Sequence, residues 1–363
     1  MKSKRGFRNG KWFRKAVDGV VGPMNRHLVI IGMVGTATLL FLVFILMGVR
    51  SEVYNESIDV RPRIVVESEE RVGTLVSSVV KGSRNGAVVV LVANYGYREF
   101  AMNAICSLRN VGLHDHLLVS LDEEMHSYAQ KRNVQSVLFT TDKSKADINL
   151  SSEAADFGSK DFVILSQTKT AAVLSVLKRK VPVLFVDLDV TLLKNPLTIM
   201  KTFSEDLVVT SDIKHGRDDP MKLNLRLNSG LFLARPKPAV MDAFEEIAEQ
   251  GLNSNRSQQK AFNWVLCGQY AGTPRGTGTL VGNDRCRWKG KRGTATTRVM
   301  SLDQFPNGSG WPTADAVAIH HNFVSGLKEK RKAIEAIGGW FFSANAKDMC
   351  SDRRKSKLWR KKR

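Results

Sequence analysis

Short apolar runs alternate with amphipathic stretches over most of this chain. Residues 87–94, "AVVVLVAN", form an apolar run of strand length. Residues 98–112 then place apolar side chains at helical spacing and stop at a glycine. Residues 116–122 and 134–140 read as the next two strands, with the helix-like 123–132 between them. A helix over 166–180 leads into a fourth strand, Val183–Val186. This alternation predicts an α/β fold with an open, mostly parallel sheet flanked by helices. Such sheets bind ligands beyond the carboxyl ends of their strands. Downstream the pattern is mixed, with strands at 206–212 and 227–235 and helices at 239–250 and 257–269. The Gly-, Thr- and Arg/Lys-rich stretch 271–297 reads as a loop or local insertion. A strand at 298–303, a turn, a strand at 316–323 and a helix at 326–338 follow, and from 341 the chain reads as frayed.

Residues 28–49 are 22 positions without a charge. As a helix they would span ~33 Å, against a hydrocarbon core of ~30 Å. Basic residues precede this stretch and acidic Glu52, Glu56 and Asp59 follow it. The positive-inside rule then places the amino terminus in the cytosol and the rest in a secretory lumen. The expected organisation is a basic tail (1–27), a single type II transmembrane helix (28–49), a stem (50–86), a catalytic domain (87–343) and a second basic tail (344–363), in a Golgi or endoplasmic reticulum membrane. The net charge of +20 resides mostly in the tails: residues 1–26 and 351–363 supply +14, leaving +6 between them. That distribution argues against nucleic acid as a partner. Asn55, Asn149, Asn255 and Asn307 each begin an Asn-x-Ser sequon, consistent with a glycoprotein. Four cysteines follow the apolar span and allow three disulfide pairings. Cys106 lies on an apolar helical face and reads as a free, buried thiol.

The fourth strand ends in Asp187-Leu188-Asp189. Strand alternation puts both aspartates on one face, and buried charge needs a partner. One reading is a turn cap. A second is a phosphatase of the haloacid-dehalogenase type, whose nucleophile motif matches 187–192. Its remaining groups, "VVTS" and Asp218-Asp219, fit poorly in order and spacing. The third is a divalent-cation site gripping the diphosphate of a sugar nucleotide. Two aspartates do not close such a site, and His320 or His321 at a later strand end can supply the third ligand. Carboxylate with imidazole suits manganese. Gly326 permits close backbone approach, and Lys328 and Lys330 carry charges suited to phosphate.

The residues resemble GT-A-type nucleotide-diphospho-sugar transferases, with family 77 glycosyltransferases the best match. The resemblance covers about 88–337 and rests on Asp187-x-Asp189 before Pro196, "LNSGLFLAR", "QFPNG", and His320-x-Asn322-x-x-x-Gly326. It implies a metal site of Asp187, Asp189 and His320, and a UDP-sugar donor such as galactose, xylose or arabinose. By the same resemblance Asn94 and Tyr95 face the nucleotide, Asp122 and Lys169 lie near the donor, and Asn228, Ser229 and Gly230 line the sugar pocket. Gln259 and Asn228 take the catalytic positions, with retention of anomeric configuration and a glycan or glycoconjugate acceptor. The family's Asp-Gln pair reads Gln258-Gln259 here, and a neutral amide cannot act as nucleophile or base. A catalytically inactive sugar-nucleotide- or glycan-binding protein is therefore an alternative.

Overall fold

The computed structural model describes residues 86–139, 160–219, 221–253, 257–268, 276–310, 313–345 and 349–351. The strands are β1 (Val88–Ala93), β2 (His116–Ser120), β3 (Ser136–Leu138), β4 (Val183–Val186), β5 (Val190–Leu192), β6 (Leu207–Ser211), β7 (Leu227–Ala234), β8 (Thr279–Val281), β9 (Arg285–Gly290), β10 (Gly293–Val299) and β11 (Ala318–His320). The helices are α1 (Arg98–Asn110), α2 (Glu123–Gln130), α3 (Lys160–Leu177), α4 (Leu197–Met200), α5 (Pro238–Asn253), α6 (Gln258–Cys267) and α7 (Leu327–Ala336).

Nine strands form one mixed sheet in the order β3-β2-β1-β4-β7-β6-β10-β9-β8, with only β7 and β9 reversed. Central strands are apolar throughout because both faces are covered. Val88, Val90 and Val92 pack with side chains of α3, α5 and α6, while Val89, Leu91 and Ala93 pack with those of α1 and α2. β4 and β5 part company after Val186: β5 leaves the large sheet and pairs with β11 in a separate two-stranded one. The two aspartates occupy that crossing.

Three expectations are corrected. The stretch 271–297 contains β8, β9 and most of β10. In β9 buried Cys286 and Trp288 alternate with exposed Arg285, Arg287 and Lys289, so a period-2 pattern lies beneath a loop-like composition. Cys106 is not free; it is bonded to Cys350, and Cys267 to Cys286. A partner 244 residues away leaves no trace in a helical period. Finally, the segment from 341 is anchored where it is described. Phe341 and Phe342 are buried. Their N–H groups donate to Asn103 Oδ1 at 2.6 and 3.2 Å, while Asn103 Nδ2 donates to the Gly339 carbonyl.

The apolar span 28–49, the stem through 85 and the tail from 352 lie outside the described residues, as do Asn55, Asn149 and Asn255. Among the described residues no helix is long and apolar enough to cross a membrane. Asn307 is buried, with Nδ2 donating to the Ile213 carbonyl and Oδ1 accepting from Ser309, so it is no accessible sequon.

One buried histidine makes stability pH-dependent. Burial, then the nearby Arg109 charge, pushes His116 down from 6.5 to about 4. The unfolded chain therefore takes up a proton below about 6.5 that the folded chain refuses until about 4. Stability is full above that window and falls through it on acidification, at about 1.4 kcal/mol per pH unit. Urea unfolding of His116→Leu at pH 7, 5.5 and 4.5 should show a profile shallower by one proton than the wild type. Parallel profiles would disprove the assignment.

Candidate functional site

The crossing from β4 to β5 brings Asp187 and Asp189 to the carboxyl end of the sheet, as the alternation predicts. Antiparallel pairing of β11 with β5 sets His320 opposite Val190, one residue beyond Asp189. One ligand atom from each of Asp187, Asp189 and His320 lies within 4.8 Å of the others. His320 Nε2 is 3.0 Å from Asp189 Oδ1 and 4.0 Å from Asp187 Oδ2. His321 faces away: its N–H donates to the Asp189 carbonyl, and its Nε2 lies 3.2 Å from Thr191 Oγ1. Between the two histidines, the geometry selects His320.

Two lysines neutralise the pair. Lys169 Nζ on α3 is 2.5 Å from Asp187 Oδ1, and Lys330 Nζ on α7 is 2.5 Å from Asp189 Oδ2. Burial alone would raise the Asp189 carboxyl, but the Lys330 ammonium and then His320 hold it well below the usual carboxylate range. Burial lowers Lys330, and the Asp189 charge more than reverses this, so its ammonium persists to higher pH than usual. Lys328 is solvent-exposed; of the two lysines named from the sequence, Lys330 reaches the cluster. Gly326, with φ at +81°, stands at the amino end of α7 in backbone that favours glycine.

Beside the aspartates, β7 carries Asn228, Ser229 and Gly230. Gly230 faces the cluster closely: a Cβ there would overlap His320 Cε1 and sit 2.7 Å from Asp187 Oδ2. Asn228 Oδ1 accepts from the Gly230 N–H at 2.7 Å and lies 2.9 Å from His320 Nδ1. An oxygen there requires a proton on Nδ1, so Nε2 is the ring nitrogen that faces the two carboxylates. Two carboxylates and one imidazole nitrogen converging on one point are a donor set that fits a divalent cation. Gln259 on α6 completes this wall, with Oε1 3.3 Å from Ser229 N.

Asn94 is buried at the end of β1, and Tyr95 N–H donates to Asp122 Oδ2 at 2.8 Å. The other Asp122 oxygen accepts from Met125 N–H at 2.7 Å, so this carboxylate caps α2 and ties the β1 and β2 loops together. Asp212, just beyond β6, belongs to none of the motifs named from the sequence. Its carboxylate is buried and accepts from Asn228, Gln259 and Asn322. Burial pushes it up, against the pull of His320 and its amide donors. The signal was present, since 206–212 also ends in an aspartate at the sheet's ligand-binding edge. The groups a phosphatase would need are elsewhere. Asp218 pairs with Arg217 and Arg226, Asp219 with Lys222, and the Thr210 and Ser211 hydroxyls bond to backbone carbonyls.

A family model described as nucleotide-diphospho-sugar transferase matches residues 112–334, and the chain belongs to that family of GT-A-type glycosyltransferases. Among named proteins, it is 28% identical over 279 residues to beta-arabinofuranosyltransferase RAY1 of Arabidopsis thaliana, covering 74% of this chain and 50% of that protein. It is 24% identical over 262 residues to arabinosyltransferase RRA2 of the same plant, covering 67% and 55%. The chain thus spans about half the length of the curated relatives it matches. Among solved structures, galactosyltransferase LgtC with donor and acceptor sugar analogues aligns at a TM-score of 0.43 and 10% identity, over 71% of this chain and 98% of that one.

The close approach at Gly230 generates a test. Gly230→Ala should push His320 and Asp187 apart and weaken manganese binding by about tenfold or more, a loss typical of a disturbed ligand set. Calorimetric titration checks it; wild-type affinity in a folded variant would remove these residues from the cation site.

Proposed function

We propose that this chain is a manganese-dependent, retaining glycosyltransferase of the family 77 type that moves a pentose from a UDP-sugar to a glycan or glycoconjugate acceptor. The observation that carries the reading is the convergence of Asp187, Asp189 and His320 beside the amide-lined wall of Asn228, Ser229, Gly230 and Gln259. The printed names of the two plant relatives support arabinose as the sugar. Asp187, Asp189 and His320 would hold the cation, whose chemistry is Lewis-acid neutralisation of the donor's diphosphate. Lys169 and Lys330, already paired with the carboxylates, supply further positive charge where phosphate would lie. Asn94 and Tyr95 border the nucleotide, while Asn228 and Ser229 orient the sugar. Gln259 presents its carbonyl to the sugar's reacting face. The carboxylate expected at position 258 is an amide, so no general base is assigned there.

A secretory compartment suits the same reading. Two disulfides cross-link the described domain, and such bridges persist where the surroundings are oxidising. With the apolar span 28–49, they favour a type II protein whose catalytic domain is lumenal in the Golgi or endoplasmic reticulum.

The test is a panel of UDP-sugars with manganese, scored for release of free UDP. UDP-arabinose should be turned over, and Asp187→Ala or Asp189→Ala should abolish turnover while the fold survives. Nucleotide binding that persists unchanged in chelator would refute the metal role. Tight binding of nucleotide sugar without any UDP release would instead identify a binding protein that lost catalysis with Gln258.

A further inference from the structure

Asp212 is a buried carboxylate with no lysine or arginine within ion-pairing distance among the described residues; three side-chain amides satisfy it. They come from three parts of the fold. Asn228 Nδ2 on β7 is 3.0 Å from Oδ1, Asn322 Nδ2 beyond β11 is 2.5 Å from Oδ1, and Gln259 Nε2 on α6 is 2.9 Å from Oδ2. The other end of each amide meets a backbone N–H, which can only donate. Gly230 N–H meets Asn228 Oδ1 at 2.7 Å, Gly308 N–H meets Asn322 Oδ1 at 3.1 Å, and Ser229 N–H meets Gln259 Oε1 at 3.3 Å. Each amide is therefore oriented from both ends: oxygen to the backbone, nitrogen to Asp212. Asp212 meets all three as an acceptor, through both of its oxygens.

The consequence reaches the cation site through one further bond. With its nitrogen committed to Asp212, Asn228 must offer oxygen to His320, 2.9 Å from Nδ1. Nδ1 must then carry a proton toward Asn228, and Nε2 is the nitrogen that faces Asp187 and Asp189, 3.0 Å from Asp189 Oδ1. On the opposite side, the same carboxylate keeps the Gln259 carbonyl toward Ser229 and the sugar pocket.

We propose that Asp212 is the positioning residue of this enzyme. It fixes at once the orientation of the Asn228 amide, whose oxygen meets His320 Nδ1, and the orientation of the Gln259 amide. The inference rests on the cation-site reading given above and adds to it a residue that touches neither the cation nor any metal ligand.

Two substitutions separate its two arms. In Asp212→Asn, one oxygen becomes an NH2 group. The amide that yields is Gln259, whose bonds to Ser229 are the longest in the network at 3.3 and 3.4 Å. Gln259 flips while Asn228 stays, so manganese affinity holds and turnover of the donor falls about tenfold, the cost of one misplaced hydrogen bond. In Asp212→Leu, Asn228 also loses its acceptor. Manganese affinity should then fall about 10- to 100-fold, as when an outer-shell partner of a ligating histidine is removed. The direct readout needs no metal: side-chain NH2 NMR of the cation-free protein, with Asn228→Ala and Gln259→Ala for assignment. The wild type should show both amide groups hydrogen-bonded and slow to exchange, and Asp212→Leu should free both. Wild-type Asn228 and Gln259 amide protons that exchange like solvent-exposed ones overturn the proposal, whether or not either variant folds. So does wild-type manganese affinity together with wild-type turnover in both variants. Wild-type protein that binds no manganese yet shows both amides protected would overturn the cation reading and uphold the amide network.

Discussion

The site exists because two carboxylates, separated by one residue, lie at the end of a buried strand and must be neutralised. Asp189 is held ionised inside the protein only because Lys330 and His320 outweigh the desolvation that would otherwise protonate it. Those partners arrive on elements distant in sequence, α7 and β11, and Asp187 draws in Lys169 from α3. The small β5–β11 sheet serves this requirement. By leaving the large sheet after Val186, the chain turns Asp187 and Asp189 away from the apolar layers and gives His320 a strand on which to approach them. Charge compensation and topology are here one constraint.

Around that point lies a second shell of a different character, made of neutral amides rather than ions. Asn228, Gln259 and Asn322 each join a backbone N–H to Asp212. Amides are directional where ions are not, since each has one accepting and one donating end. The ionic inner cluster concentrates charge, and the amide shell decides which way each dipole points. A pocket for a neutral sugar beside a charged diphosphate needs both properties in adjacent places.

Much of this was legible in the sequence because it is written in local periods. β1, β2 and β4 are short apolar runs, α1 and α7 carry helical spacing, and Asp187-x-Asp189 sits at a strand end where ligand chemistry is expected. His320 rather than His321 was what the family resemblance implied, and alternation along β11, only three residues long, agrees with it. What stayed hidden depends on pairing across long separations. β9 and β10 read as a loop because one face of each is charged or polar and solvated. Asp212 read as an ordinary strand terminus, since its meaning depends on three amides 16, 47 and 110 residues away. Cys106 looked like a core residue, and it is one; its bond to Cys350 cannot be read from the helix that bears it.

The two disulfides differ in a way that bears on how the protein is made. Cys267 and Cys286 are separated by 19 positions, Cys106 and Cys350 by 244. Chains emerge from the ribosome amino end first. The bridge between α6 and β9 can close as soon as its own neighbourhood exists, whereas Cys106 must wait, reduced, until the segment around residue 350 is synthesised. The apolar cluster that buries Cys106 includes Phe341, Phe342 and Met349 of that same late segment, so the bridge and the packing over it are completed together.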